Sequence, residues 1–161
     1  QADFAPALNQ TDFDCEAFVY AHDSLHLFSK EWLSGNTRHF VLPADTGFHN
    51  ARLAETFYAD GLITDASVNA KGNIVLLGYK NSRGRKWKCF CWIFQGDGEN
   101  RFFSCDKTRI KLGKALRLGQ TEGIYINDDN AGWITSESIV SGRLHRPAKL
   151  FRVNFNRFLQ Q

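Results

Sequence analysis

The sequence predicts an all-β, β-propeller-like fold of three four-stranded antiparallel blades, and three observations predict it. The stretch 16–30, EAFVYAHDSLHLFSK, is echoed by 65–79, DASVNAKGNIVLLGY, and by 122–136, EGIYINDDNAGWITS. Each runs from an acid through a small residue into a short apolar run, turns on Asp, Asn or Gly, and enters a second apolar run. Such self-similarity at a spacing of about fifty residues marks a repeat architecture. Aromatic residues make up 14% of the chain, fourteen of them Phe, and aromatics suit the half-buried pleated face of a strand. No stretch sustains a helical period with caps at both ends. Repeated four-stranded meanders are the mark of propeller blades, which pack face to face around an axis.

Taken in order, residues 1–13 show no sustained period and read as a tail or a remnant strand. A single propeller-like domain follows over 14–161, with blades at about 14–58, 61–116 and 120–158. In the first blade, alternation predicts a strand at 17–21, a tight turn on His22, Asp23 and Ser24, and a strand at 25–28. A third strand at 37–42 is stopped by Pro43, and 52–58 supplies the fourth. In the second blade, strands at 66–69 and 74–77 flank the turn 70–73. The run 87–94, WKCFCWIF, is apolar enough to be buried on both faces, and strands at 102–105 and 109–112 complete the sheet. The third blade has strands at 124–126, 133–135 and 149–155, with a long loop over 138–147. Its outer strand comes from elsewhere or is missing.

A length of 161 residues allows one domain with a real core. Hydrophobic residues at 43% and charged residues at 23% are ordinary for a globular chain, and the net charge is only +3. The basic runs 80–88, KNSRGRKWK, and 143–149 read as solvated turns that keep strand edges soluble, so nucleic acid is disfavoured as a partner. No run approaches the roughly eighteen apolar residues of a membrane-spanning helix. With Gln at position 1 and no methionine, the chain is expected to be a processed product or a fragment. Cys89 and Cys91, two apart in a strand, share a face and are poorly placed to bond each other. Free thiols and one disulfide to Cys105 stay open as readings. The C-x-C pair lacks a second pair at zinc-ligand spacing.

The residues DCEA at 14–17, LFSKEW at 27–32, LITDA at 62–66, LLGY at 76–79, QTEGI at 120–124 and TSE at 135–137 together resemble the C-terminal half of a family of uncharacterised bacterial secreted β-propeller proteins. The resemblance covers most of the chain and implies half of a six-bladed propeller, exported to the periplasm, cell surface or medium. Cys15 stands where that pattern has an apolar residue, and Asp65 where Gly often precedes the Ala-Asp pair. The acid-led blade openings are distantly similar to phytase-like and esterase-like propellers, a likeness of fold that does not carry function.

Register aligns Glu16, Asp65 and Glu122 at the start of the strand nearest the axis. Lys30, Tyr79 and Ser136, with Glu137 beside it, then lie at the end of the following strand, on the same rim. This polar rim is the candidate ligand-binding surface, for a small molecule, a glycan or a protein. Its three carboxylates would suit a hard cation such as calcium, which is the basis of an alternative reading as a metal-dependent phosphoester or ester hydrolase. The bland alternative is that the acids accept backbone N–H groups and pin one blade to the next. Lys30 is the sharpest candidate because neither equivalent position is basic. Trp32 and Trp87, in or beside polar turns, are candidate stacking platforms for a sugar or base, whereas Trp92 and Trp133 read as core. The histidines show no metal-ligand spacing, and no serine sits in a nucleophile elbow. A three-blade piece leaves apolar faces open at both ends, so a second copy or the missing N-terminal half is expected to close the ring.

Overall fold

The computed structural model describes residues 7–82, 86–96, 101–141 and 144–159. It is all-β and antiparallel, with two single-turn helices. One four-stranded sheet is a meander of β1 (Asp14–Ala21), β2 (Ser24–Lys30), β3 (Thr37–Pro43) and β4 (Arg52–Phe57). A second is formed in the same order by β5 (Leu62–Val68), β6 (Ile74–Ser82), β7 (Lys86–Phe94) and β8 (Lys107–Lys114), after which comes the short helix α1 (Ala115–Leu118). The third sheet has three strands, β9 (Gln120–Ile126), β10 (Ala131–Glu137) and β13 (Lys149–Asn154), with β10 in the middle. Between β10 and β13 lies a ribbon of β11 (Ile139–Ser141) and β12 (Leu144–Arg146), and α2 (Asn156–Leu159) ends the described chain. Among the described residues no helix is long and apolar enough to cross a membrane.

Turn chemistry explains where the strands stop. The β1–β2 hairpin closes on His22 and Asp23, whose φ angles of 48° and 54° are both left-handed. A two-residue turn of that hand matches the twist of the flanking strands, and Tyr20 O–H donates to Asp23 Oδ1 at 2.8 Å to hold it. The β5–β6 and β9–β10 turns are longer and are tied together. Asn69 Nδ2 donates to Asn130 Oδ1 at 2.9 Å, and Ala70 N–H to Asp128 Oδ1 at 2.8 Å.

The second sheet is the middle layer. One of its faces, through Ile63, Ile74, Leu76, Phe90 and Phe94, packs on Ala17, Val19 and Phe28 of the first sheet. The other, through Val75, Leu77, Cys91 and Ile93, packs on Ile124, Ile126 and Ile134 of the third. This two-sided burial is what the unbroken apolar run of β7 requires, and it agrees with the sequence reading.

Four expectations need correction. Residues 102–105 form a turn, not a strand. Phe102 and Phe103 drive their rings into the core, and their N–H groups donate to Glu55 at 2.8 and 3.1 Å, so they are not free to pair in a ladder. The loop over 138–147 holds the β11–β12 ribbon. Trp133 is 44% exposed on the outward face of the third sheet, because inward positions of β10 belong to Gly132, Ile134 and Ser136. The disulfide reading also falls, since no disulfide links any of the four cysteines, and Cys89 and Cys91 are buried. The centre of the basic run, residues 83–85, lies outside the described residues.

A polar chain crosses the first layer of the core. His26 Nδ1 meets His39 Nε2 at 2.8 Å, and His39 Nδ1 meets Glu55 Oε2 at 3.1 Å. The far nitrogen of His26 faces the Ala21 carbonyl at 3.2 Å. Both rings are fully buried, stacked on each other and bordered by Phe28 and Phe102. The Ala21 carbonyl and the Glu55 carboxylate bracket the two rings as acceptors. The Glu55 carboxyl is opposed by burial but held below its ordinary range by His39 and the Phe102 and Phe103 amides.

Candidate functional site

The first residues of β1, β5 and β9 lie opposite the last residues of their hairpin partners, and the side chains there meet at one end of the stack. The cross-strand partners are Asp14 with Lys30, Leu62 with Tyr79, and Gln120 with Glu137. Each pairing is followed by a β-bulge, which adds one unpaired residue to the leading strand. The bulged residues are Glu16, Thr64 and Glu122. Thr64, not Asp65, is therefore the structural counterpart of the two glutamates. Sequence alignment missed this because the first hairpin turns on two residues and the other two on longer loops, which displaces the spacing by one.

Asp65 consequently faces the neighbouring sheet. Its Oδ2 accepts the Ile124 N–H at 2.6 Å, Ser67 Oγ accepts the Ile126 N–H at 3.0 Å, and Thr64 Oγ1 donates to the Thr121 carbonyl at 3.0 Å. These bonds pin β5 to β9. Burial pushes the Asp65 carboxyl up, with the Ile124 and Ala66 amides opposing. Asp65→Ala is expected to lose about 1–3 kcal/mol by leaving the Ile124 donor unpaired. Asp65→Asn keeps an acceptor and should stay within about 1 kcal/mol of the parent in urea denaturation.

The other rim residues do converge. Lys30 is 3% exposed; its Nζ donates to Glu16 Oε2 at 2.6 Å and sits 4.9 Å from the Trp32 ring centroid and 5.4 Å from that of Tyr79. Burial pulls Lys30 down, yet Glu16 and Tyr79 hold it above its ordinary value. The ammonium is thus committed to its neighbours, and Lys30 acts here as a buried strut under Trp32. Tyr79 takes a hydrogen bond from Gln120 Nε2 at 3.2 Å and meets the Trp87 ring edge-on at 5.2 Å. Glu122 Oε1 is buried and has no hydrogen-bond partner among the described residues. Burial raises the Glu122 carboxyl; Gln120 and Lys30 oppose this, and Glu16 and Glu137 reinforce it. No three His, Cys, Asp or Glu side chains gather as a metal site among the described residues, so the three acids taken for a cation do not form one ligand set.

Above these struts lies a cleft of about 270 Å³. Trp32 and Trp87, paired only as candidates in the sequence, both line it, together with Tyr58, Asp60, Lys80 and Asn81. Tyr58 is 62% exposed and Trp87 38%, so aromatic faces are open to solvent. Trp32 is fixed from behind by Lys30 and by its Nε1–H bond to Asp14 Oδ2 at 3.0 Å. Asp60 sits at φ 54°, a left-handed conformation that a non-glycine residue adopts at a cost. It is held there by ion pairs with Lys80 and Arg109, and Tyr58 O–H donates to it at 3.2 Å. Lys80 and Arg109 hold the Asp60 carboxyl low against the effect of burial. Tyr58 and Asp60 escaped the sequence reading because they belong to a connection outside the repeated hairpins.

No protein family, curated protein or solved structure matches the chain.

Proposed function

We propose that this protein is a saccharide-binding module, a secreted β-propeller repeat unit whose rim presents the aromatic cleft to a glycan. One observation carries the reading: Trp32, Tyr58 and Trp87, from three separate segments, wall a single cleft with Asp60, Asn81 and Lys80 among them. A sugar ring has apolar C–H faces and a rim of hydroxyls. Aromatic walls take the faces through desolvation and dispersion, and a few placed polar groups take the hydroxyls. The cluster of Glu16, Lys30, Tyr79 and Glu122, in which Lys30 and Tyr79 are buried, serves as the mounting that holds both tryptophans. Burial spent behind the cleft keeps its walls rigid, which lowers the entropy cost of binding.

The propeller reading is supported by three meander-like sheets stacked in sequence order, with β1, β5 and β9 at equivalent positions. Export follows the secreted family that the sequence resembles. In such a ring the outward faces of the first and third sheets are covered by a second copy of the chain.

The test is a titration of tryptophan emission with neutral and acidic oligosaccharides up to millimolar concentration. At least one is expected to bind, with Trp87→Ala weakening it by at least about tenfold, the loss typical of a central aromatic anchor. Trp133→Ala, on a different face, should leave affinity unchanged. If no saccharide binds, or if Trp87→Ala binds like the parent, the proposal is lost.

A further inference from the structure

Resting on the saccharide reading of the cleft, we infer that the ligand is an acidic polysaccharide, whose sulfate or carboxylate groups lie along a basic strip that leads out of the cleft. The strip begins where the cleft ends. Asp60 and Lys80 line both the cleft and an adjoining cavity of about 300 Å³. That cavity is edged by Lys80, Lys88, Arg109, Lys111 and Lys114, and among these described lining residues Asp60 is the single carboxylate. Lys114 in turn lines a further cavity of about 310 Å³ with Arg117, Arg146 and Lys149. Eight cations face one acid along this path, while the whole chain carries a net charge of only +3. The rest of the molecule is therefore net acidic, and the positive charge is concentrated here.

The register makes the concentration more specific. Lys80 lies directly opposite Lys88, and Lys88 directly opposite Lys114. Three lysines thus form a ladder across β6, β7 and β8. Like charges at directly opposed positions destabilise a sheet; Asp60 offsets this at Lys80, and an anion lying over Lys88 and Lys114 would offset it along the rest of the ladder. Arg109 Nε is buried and has no hydrogen-bond partner among the described residues, while its guanidinium lies 4.1 Å from the Phe90 ring centroid and donates to the Asp60 carbonyl at 3.1 Å. Strands sit about 4.8 Å apart, so the ladder presents charges in a row at short, regular intervals. A chain with an anionic group on successive sugars matches that row. A single-stranded nucleic acid needs base-stacking aromatics along its path, and no exposed aromatic residue lines either basic cavity among the described residues.

The experiment compares dextran oligosaccharides, dextran sulfate oligosaccharides of the same length, and a single-stranded DNA of equal charge, by fluorescence titration at two salt concentrations. Variants are Lys88→Glu/Lys114→Glu, Lys88→Gln/Lys114→Gln and Trp87→Ala. Dextran sulfate is expected to bind at least about tenfold more tightly than dextran, an advantage that shrinks with salt. The glutamate pair should remove that advantage, the glutamine pair should reduce it by a few-fold, and Trp87→Ala should weaken dextran sulfate as well. Both lysine pairs should fold, since each removes like-charge contacts from exposed positions. Trp87-dependent saccharide binding with no preference for the sulfated chain overturns this inference and leaves the cleft as a neutral-sugar site. Sulfated-chain binding that ignores Trp87 overturns both. DNA binding as tightly as dextran sulfate overturns the inference in favour of a nucleic acid.

Discussion

Replacing Glu55 by leucine is expected to cost about 3–5 kcal/mol, the usual penalty for removing one partner of a buried charged pair. The loss has three sources: His39 Nδ1, Phe102 N–H and Phe103 N–H all lose their acceptor at once. At roughly 2–4 °C per kcal/mol for a chain of this size, the melting temperature should fall by about 6–20 °C. Glu55→Gln retains one acceptor and should cost less than half as much.

The same chain sets a direction for pH. Burial, and the electrostatic effect of the neighbouring His39, lower His26 below its ordinary 6.5, so the unfolded state takes up that proton first. Stability should therefore decline as pH falls below about 6.5. Glu55 is held below its ordinary 4.5 in the folded state, so its contribution is complete above that value and is lost as pH falls through the folded one. Urea midpoints at pH 7.5, 5.5 and 4.0 should step downward. A flat profile in the parent, or an unchanged slope in Glu55→Leu, would show that the chain carries no linked proton.

The second large effect concerns mass. The purified chain is expected to run as a dimer, at twice its 18.3 kDa, in light scattering. On the outward face of the first sheet, Phe18, Leu27, Phe40 and Leu53 stand in one cross-strand row, and Tyr20, Leu25 and Leu42 in another. Phe18 is 61% exposed. On the outward face of the third sheet, Tyr125, Trp133 and Arg152 form a row beside Leu150. Rows of this kind are the mark of an interface, since a folded chain rarely leaves so much contiguous apolar surface in water.

On the propeller reading proposed above, two copies are expected to join first face to third face and close a ring. Leu27→Glu and Trp133→Glu each place a charge in that contact without a partner, and each should weaken association at least about a hundredfold. A dimer that survives Trp133→Glu but not Leu27→Glu would mean two first sheets meeting each other, and ring closure would be wrong. A parent chain that is monomeric at micromolar concentration would remove the self-association reading altogether.

Much of the architecture was legible from the chain alone. The hairpins β1–β2, β5–β6 and β9–β10, the turns at His22-Asp23 and at Asn127–Asn130, and the buried run of β7 follow from local rules of alternation and turn chemistry. So did the three-strand count of the last sheet, and the meeting of Glu16, Lys30, Tyr79 and Glu122 at one end. Tertiary structure decided the rest, because it depends on register and on connections between units. Because the first hairpin turns on two residues and the second on a longer loop, the counterpart of Glu16 is Thr64, and the expected rim acid Asp65 is instead a pin between sheets. Glu55 captured the amides of Phe102 and Phe103 and converted a predicted strand into a turn. The cleft joins Trp32 to Trp87, fifty-five positions away, through Tyr58 and Asp60, and the lysine ladder needs three strands in one register. Local sequence specifies each hairpin; only the packing of hairpins against one another specifies which side chains share a surface.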